Sequence, residues 1–380
     1  MGPLANLKVI EFQGIGPGPY CGMMLADMGA EVIRVDRIAS FAGSAKDPNV
    51  LGRGRQSVAI NLKEPSGVGA ALKLIDRSDI LIEGFRPGVM ERIGLGPDAC
   101  LVRNQGLVYG RMTGWGQTGE MSTAAGHDIN YISLSGALHS IGNAGGKPIP
   151  PLNLVGDFGG GGMLLAFGIL AALYERSKSG KGQVVDAAMT EGSALLMNAI
   201  FGLMNSGDWS DARGTNLLDG GSHFYNTYET RDGKFISLGS IEPQFYSLLL
   251  EKLGLDQVRD FPSQMSREDW PLLKKQFREI FKTKSRDEWD ELMIGTDICY
   301  APVLSYEEAR VHPHNISRGA FFERDGLYQA APAPRFSRTS PELPESDVPP
   351  GSHSINILRS ASFSEDEIEK LIEEGVVAQN

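Results

Sequence analysis

Cysteine is scarce in this chain. Only Cys21, Cys100 and Cys299 occur among 380 residues, widely separated and outside any Cys-x-x-Cys pattern. Three thiols cannot all pair within one chain, so a disulfide scaffold and a structural zinc site are both excluded, and a reducing compartment is expected. Positive charge is also in deficit. The net charge of −11 argues against a general nucleic-acid or anionic-membrane binder, while leaving room for a local basic pocket. Long apolar runs are missing as well. The longest, Met163 to Tyr174, is too short to span a bilayer. Neither a charged-then-apolar leader nor a peroxisomal tail is legible, so a cytoplasmic protein with no membrane association is the expectation. The six histidines show no metal-ligand spacing, and no metal is expected.

What is present is an ordinary globular composition, 41% hydrophobic and 22% charged, long enough for two domains. Residues 7–12, 31–36, 57–62, 79–84, 107–114 and 183–188 read as strands. Helical stretches at 20–28, 65–77 and about 158–177 alternate with them, which predicts an α/β fold with a mostly parallel sheet covered on both faces. After residue 205 the texture changes. Residues 206–222 are rich in Gly, Asp and Asn and read as a linker. Residues 223–330 read as a smaller α+β domain. It opens with a hairpin around Arg231-Asp232-Gly233 and continues with helices at 244–253, 268–282 and 286–293. Residues 331–380 form a proline-rich return segment ending in a helix, with Ser364 and Glu367 as its capping box and Gly375 as its stop.

Several motifs carry chemistry. Gly14-Ile15-Gly16-Pro17-Gly18 follows the first strand, and Asp36 ends the second, as in dinucleotide folds. The third glycine of that fingerprint is missing, however, and two prolines remove N–H donors, so a plain strand–turn–helix junction is the better reading. Arginines gather near strand ends: Arg34, Arg37, Arg53, Arg55, Arg86 and Arg92. Forked guanidinium donors suit a phosphate-bearing small molecule. In Gly126-His127-Asp128-Ile129-Asn130-Tyr131 an imidazole and a carboxylate stand together. A second carboxylate, Asp157, precedes Gly159 to Gly162. One group can take a proton while another gives one. Asp157 also reads as an N-cap, with the free N–H groups of a helix start ready for a developing oxyanion. The glycines that follow it cost helix stability, and close approach of a ligand to bare backbone is the expected compensation.

Together these residues resemble family III CoA-transferases (the CaiB/BaiF superfamily), and among them the α-methylacyl-CoA racemases. The resemblance runs nearly end to end. It covers Gly14 to Pro19, Val35-Asp36-Arg37, Glu83 to Gly88, Arg111 to Gln117, Gly126 to Tyr131, Pro151 to Phe158, Gly180 to Asp186, Ile241 to Tyr246 and Pro334-Arg335-Phe336. It implies a Rossmann-like large domain over 1–205, a small domain, and an interlocked homodimer. It implies an acyl-CoA substrate, with Arg37, Arg86 and Arg92 on the coenzyme A phosphates and Gly126 and Asp128 beside the substrate. No separate cofactor is implied, since CoA is part of the substrate. By motif match, His127 and Asp157 are the acid/base pair, and Glu242 comes from the other subunit to hold His127.

The implied reaction interconverts the two configurations at C2 of a 2-methylacyl-CoA through an enolate. The competing reading is a CoA-transferase, in which Asp128 forms a mixed anhydride with the acyl group. The racemase pattern is favoured because His127 precedes Asp128. In addition, Gly239-Ser240-Ile241-Glu242-Pro243-Gln244 stands where the transferases carry a glycine-rich loop.

Overall fold

A computed structural model describes residues 2–38 and 49–380. Its strands, in chain order, are β1 (Lys8–Phe12), β2 (Glu31–Asp36), β3 (Arg55–Ile60), β4 (Ile80–Glu83), β5 (Val108–Thr113) and β6 (Val184–Ala188). They continue with β7 (Tyr225–Glu229), β8 (Phe235–Gly239), β9 (Tyr300–Val303), β10 (Phe321–Arg324), β11 (Leu327–Ala330) and β12 (Val377–Ala378). The chain divides into two compact units. One comprises Met1–Ser135, Leu152–Leu196 and Gly319–Asn380; the other comprises Gly136–Pro151 and Met197–Arg318.

The first unit is built on a seven-stranded sheet in the order β12-β3-β2-β1-β4-β5-β6. All neighbours are parallel except β12, which runs antiparallel to β3. β1 to β4 are short apolar runs because both sheet faces are covered. Successive residues supply opposite faces. Ile10, Ile33 and Leu81 join Ala70, Leu74 and Leu371 in one core. Their neighbours Val9, Val32 and Ile80 join Leu25, Leu165 and Ile169 in the other. The expected α/β architecture is thus present. β12 was not foreseen, because two residues carry no periodicity.

The helix expected from residue 158 starts earlier. Leu154–Met163 is π-helical and runs into an α-helix, Leu164–Ser179. By length and a mean hydropathy of 1.6, Leu154–Ser179 is able to cross a membrane. The helix is longer than the apolar run read from sequence, since the glycines before Leu164 extend it without making it polar. In this fold Leu165, Ala166, Ile169 and Ala172 are buried in the core, while Phe167, Leu170 and Tyr174 face outward.

The glycines are compensated by packing between helices rather than by a ligand. A side chain at Gly160 would meet the Ser193 nitrogen at 2.6 Å, and one at Gly162 would meet the Pro17 oxygen at 2.7 Å. The helices Pro17–Asp27 and Met189–Leu196 therefore lie against nearly bare backbone.

The second unit holds the antiparallel sheet β7-β8-β9. The helices Pro243–Leu253, Trp270–Phe281 and Arg286–Met293 pack an aromatic core with it. His223 lies inside this core. Its Nε2 shares a 2.7 Å hydrogen bond with the Tyr246 hydroxyl, and burial pushes its pKa down to about 4. It is a neutral structural histidine.

Candidate active site

The carboxyl ends of β1, β4 and β5 open into a cavity of about 980 Å³ in the first unit. The strand order reverses between β1 and β4, which is where open α/β sheets bind their ligands. His127, Asp157, Arg37, Arg86 and Gly126 all line this cavity, together with the Gly14 to Pro19 turn. Five positions chosen from sequence therefore meet in one place.

His127 is exposed and stands directly before the helix Asp128–Leu134. Asn130 Oδ1 accepts its backbone N–H at 3.1 Å, which fixes where that helix begins. Gly126 is needed for close approach: a side chain there would meet the Tyr131 ring at 2.7 Å and Trp115 at 3.0 Å. Those two rings pack edge to face with centroids 4.8 Å apart, and the Tyr131 hydroxyl donates to the Gly126 carbonyl.

Asp157 is half-buried in the π-helical turn. It is not the N-cap. The helix starts three residues before it, with Asn153 in the cap position. Asp157 and Phe158 also cannot offer free N–H groups to an oxyanion. The first donates to Asp128 Oδ2 at 2.7 Å and the second to the Asn153 carbonyl at 3.3 Å. Any orphan donors of this helix start therefore lie nearer Leu154.

Burial raises the Asp157 carboxyl above the usual carboxylate range. The Asn153 amide, 3.1 Å from Oδ2, works against that shift, the Asp128 charge adds to it, and His127 opposes it. Asn153 was given no role from sequence, and Gly16 was read only as part of a strand–turn–helix junction. Gly16, with φ 68°, brings its turn so near that a side chain would sit 3.1 Å from Asp157 Oδ2.

The arginines separate into two classes. Arg37 follows β2, with its guanidinium 6.0 Å from the Phe85 ring. Arg86 lies in a loop held by Glu83, which accepts from the Phe85 N–H and the Arg111 guanidinium, each at 2.8 Å. Both are exposed at the cavity. Arg92 is exposed at the end of the short helix Val89–Arg92 and does not line the cavity. Arg34, Arg53 and Arg55 are buried in ion pairs with Asp36 and Asp347, Asp27, and Glu11. They hold the fold and are not available to a phosphate. Glu242 belongs to the second unit, exposed before the helix Pro243–Leu253, and does not line this cavity.

The sequence pattern of CoA-transferase family III matches residues 4–354. The chain belongs to that family. It is 47% identical over 377 residues to α-methylacyl-CoA racemase of Mus musculus, covering 98% of this chain and 97% of the relative. It is 45% identical over 382 residues to the Homo sapiens protein of the same name, covering 99% and 98%. A CaiB/BaiF family protein from Brucella suis shares the fold, with a TM-score of 0.82 at 23% identity over 95% of this chain and all of that one. Within a family III chain, Asp128 is the position to inspect for a nucleophile. Here it is only 6% exposed, with Oδ2 committed to the Asp157 N–H and Oδ1 enclosed and without a partner. Neither oxygen is presented to the cavity as an attacking group would be.

Proposed function

We propose that this chain interconverts the (2R) and (2S) forms of 2-methylacyl-CoA thioesters by moving the C2 proton between His127 and Asp157. One observation carries the reading. Among the titratable side chains lining the cavity, Glu83 is locked to Arg111 and the Phe85 N–H, and the Tyr131 hydroxyl is bound to Gly126. The arginines remain charged at all working pH values. His127 and Asp157 are left for proton transfer. The near full-length identity to two curated racemases supports the same reaction.

The thioester carbonyl acidifies the proton at C2. Removing it leaves an enolate whose charge gathers on the thioester oxygen. Inversion follows when the proton leaves from one face and another returns on the opposite face. His127 serves one face and Asp157 the other, with their roles exchanged for the opposite enantiomer. A carboxyl raised by burial is a better base than an ordinary aspartate, and its conjugate acid remains available at higher pH. Arg37 and Arg86 take the phosphates of coenzyme A, with Arg92 as an outer charge. Gly126 and Asp128 shape the wall beside the acyl group. No cofactor is required beyond the CoA of the substrate itself.

The working form in this proposal is an interlocked homodimer in the cytoplasm, with a large domain over 1–205 and a small domain over 223–330. Linkers at 206–222 and 331–380 carry the chain out and back. Glu242 of the partner subunit orients His127. Supporting the dimer, Met163, Phe167, Tyr174, Leu195 and Leu196 expose apolar surface that a second copy would cover.

The test is ¹H NMR of 2-methylacyl-CoA in D₂O with the purified protein. The C2 proton signal should disappear with no acceptor acid present, and His127→Ala should slow interconversion by roughly 10²-fold or more. Transfer of CoA from one carboxylic acid to another, with a hydroxylamine-trapped acyl-enzyme, would establish the transferase instead. Mixing His127→Ala with Glu242→Ala subunits should restore activity, because one site of each mixed dimer is then intact.

A further inference from the structure

The second unit has a cavity of its own, about 880 Å³, which the racemase reading leaves unused. Its floor is formed by residues of β7, β8 and β9, including Tyr225, Leu238 and Tyr300. One wall is two loops, around Gly142–Ala144 and Gly214–Gly220. These loops are fastened to each other. Arg213 donates to the carbonyls of His139 and Gly146, each at 2.6 Å, and Gly214 packs against the backbone of Ala144. The other wall is the helix Trp270–Phe281, which presents Lys274 and Arg278 one turn apart.

These two cations share one helix face at the cavity. Like charges one turn apart on a helix repel each other, and surface pairs of this kind normally sit beside carboxylates. Among the described residues neither forms an ion pair with a carboxylate. Asp219 also lines the cavity and its charge acts on Lys274 from a distance, while its oxygens are held by neutral donors. Oδ2 accepts from the Gly214 N–H and the Asn216 amide, and Oδ1 accepts from the N–H groups of Asn216 and Gly221. Lys274 is half-buried. Its Nζ donates to the Gly220 carbonyl at 3.0 Å, which accounts for one of its three protons. Burial and the neighbouring Arg278 depress its pKa, and the Asp219 charge opposes that shift. The wall therefore holds a half-buried lysine and an exposed arginine, neither in a direct ion pair, facing a space large enough for a small metabolite.

We propose that this cavity binds a small oxyanion, a phosphate or carboxylate group, between Lys274 and Arg278. The guanidinium offers a fork of donors, and the ammonium adds a point charge beside it. A bound anion would relieve the repulsion between the two and satisfy the remaining lysine protons. This proposal stands independently of the racemase reading, because it uses no residue of the first unit.

The full chain in chloride buffer would be titrated with inorganic phosphate by ³¹P line broadening, and with acetate by the shift in thermal midpoint. An Arg37→Gln/Arg86→Gln background removes any phosphate binding in the first unit. Saturable binding in that background, weakened about tenfold or more by Lys274→Gln or Arg278→Gln, is the expected result, on the scale of one lost charge-assisted hydrogen bond. A response to phosphate alone, or to acetate alone, identifies which oxyanion the site takes. Glutamine at 274 retains a donor for the Gly220 carbonyl, and Arg278 is exposed, so both variants should fold; circular dichroism verifies it. Equal binding in the parent and in both variants, or no response to either anion, overturns the proposal.

Discussion

Asp128 Oδ2 accepts the backbone N–H of Asp157 at 2.7 Å, which joins the residue after the imidazole to the backbone of the second acid lining the cavity. The bond fixes the Asp157 backbone inside a π-helical turn and sets a second carboxylate beside the first. A consequence is measurable in the pH profile. The Asp128 charge is one of the causes that raise the Asp157 carboxyl. Asp128→Asn keeps an acceptor for the N–H but removes the charge. Asp157 then ionises at lower pH, so the acidic limb of kcat/KM for deprotonation by Asp157 should move down in pH. Asp128→Ala removes the acceptor too, leaves a half-buried N–H unpaired, and should cost about 1–3 kcal/mol of stability by urea denaturation. An acidic limb unmoved in Asp128→Asn would contradict the coupling.

Arg37 and Arg86 are exposed at the cavity, whereas Arg34 is closed off in ion pairs. Arg37→Gln or Arg86→Gln should raise KM for acyl-CoA with kcat little changed. The loss of a hydrogen bond to a charged group, about 1.5–3 kcal/mol, corresponds to roughly 10–100-fold. Arg34→Gln should instead lower the melting temperature. Steady-state kinetics and thermal scans on the three variants separate the two classes.

Arg55 and Glu11 form a fully buried pair, with Nε and Oε2 3.0 Å apart. The arginine also donates to the carbonyls of Leu51, Arg53 and Pro19. Burial already raises the Glu11 carboxyl, with Arg55 opposing the shift. Arg55→Met leaves that acid enclosed without its cation and three carbonyls without their donor. A loss of about 3–5 kcal/mol is expected in denaturant unfolding. Glu11→Gln/Arg55→Met should recover part of it, since the stranded charge is gone.

Gly160 touches the backbone of the helix Met189–Leu196. Gly160→Ala forces a methyl group into that contact and should destabilise by about 1–3 kcal/mol. Gly69→Ala, where nothing lies within 4 Å of the added carbon, serves as the control and should be neutral or slightly stabilising. If the two variants unfold at the same denaturant concentration, the packing role of the glycine run is wrong.

The sheet was legible because parallel strands buried on both faces leave contiguous apolar runs, as in Val9-Ile10 and Ile80-Leu81-Ile82. The last helix was legible because capping is local: Ser364 and Glu367 exchange hydrogen bonds with each other's backbone N–H groups. β9 and β12 were not. Their pairing depends on partners distant in sequence, and neither segment has a period of its own.

Sequence alone determined which side chains are able to do such chemistry, since an imidazole, an acid and a guanidinium group are properties of side-chain type and local motif. Tertiary structure decided which of them are available. Arg34 pairs locally with Asp36, but its second carboxylate, Asp347, lies 313 residues away, and nothing near Arg34 in the chain announces that partner. Asp157 became a wall residue in the middle of a helix, and its N–H was claimed by Asp128, because the helix gained an extra turn at its start. Ionisation and hydrogen-bond capacity belong to the residue, but desolvation and pairing depend on what the fold brings within a few ångströms, and short-range order along a chain does not encode that.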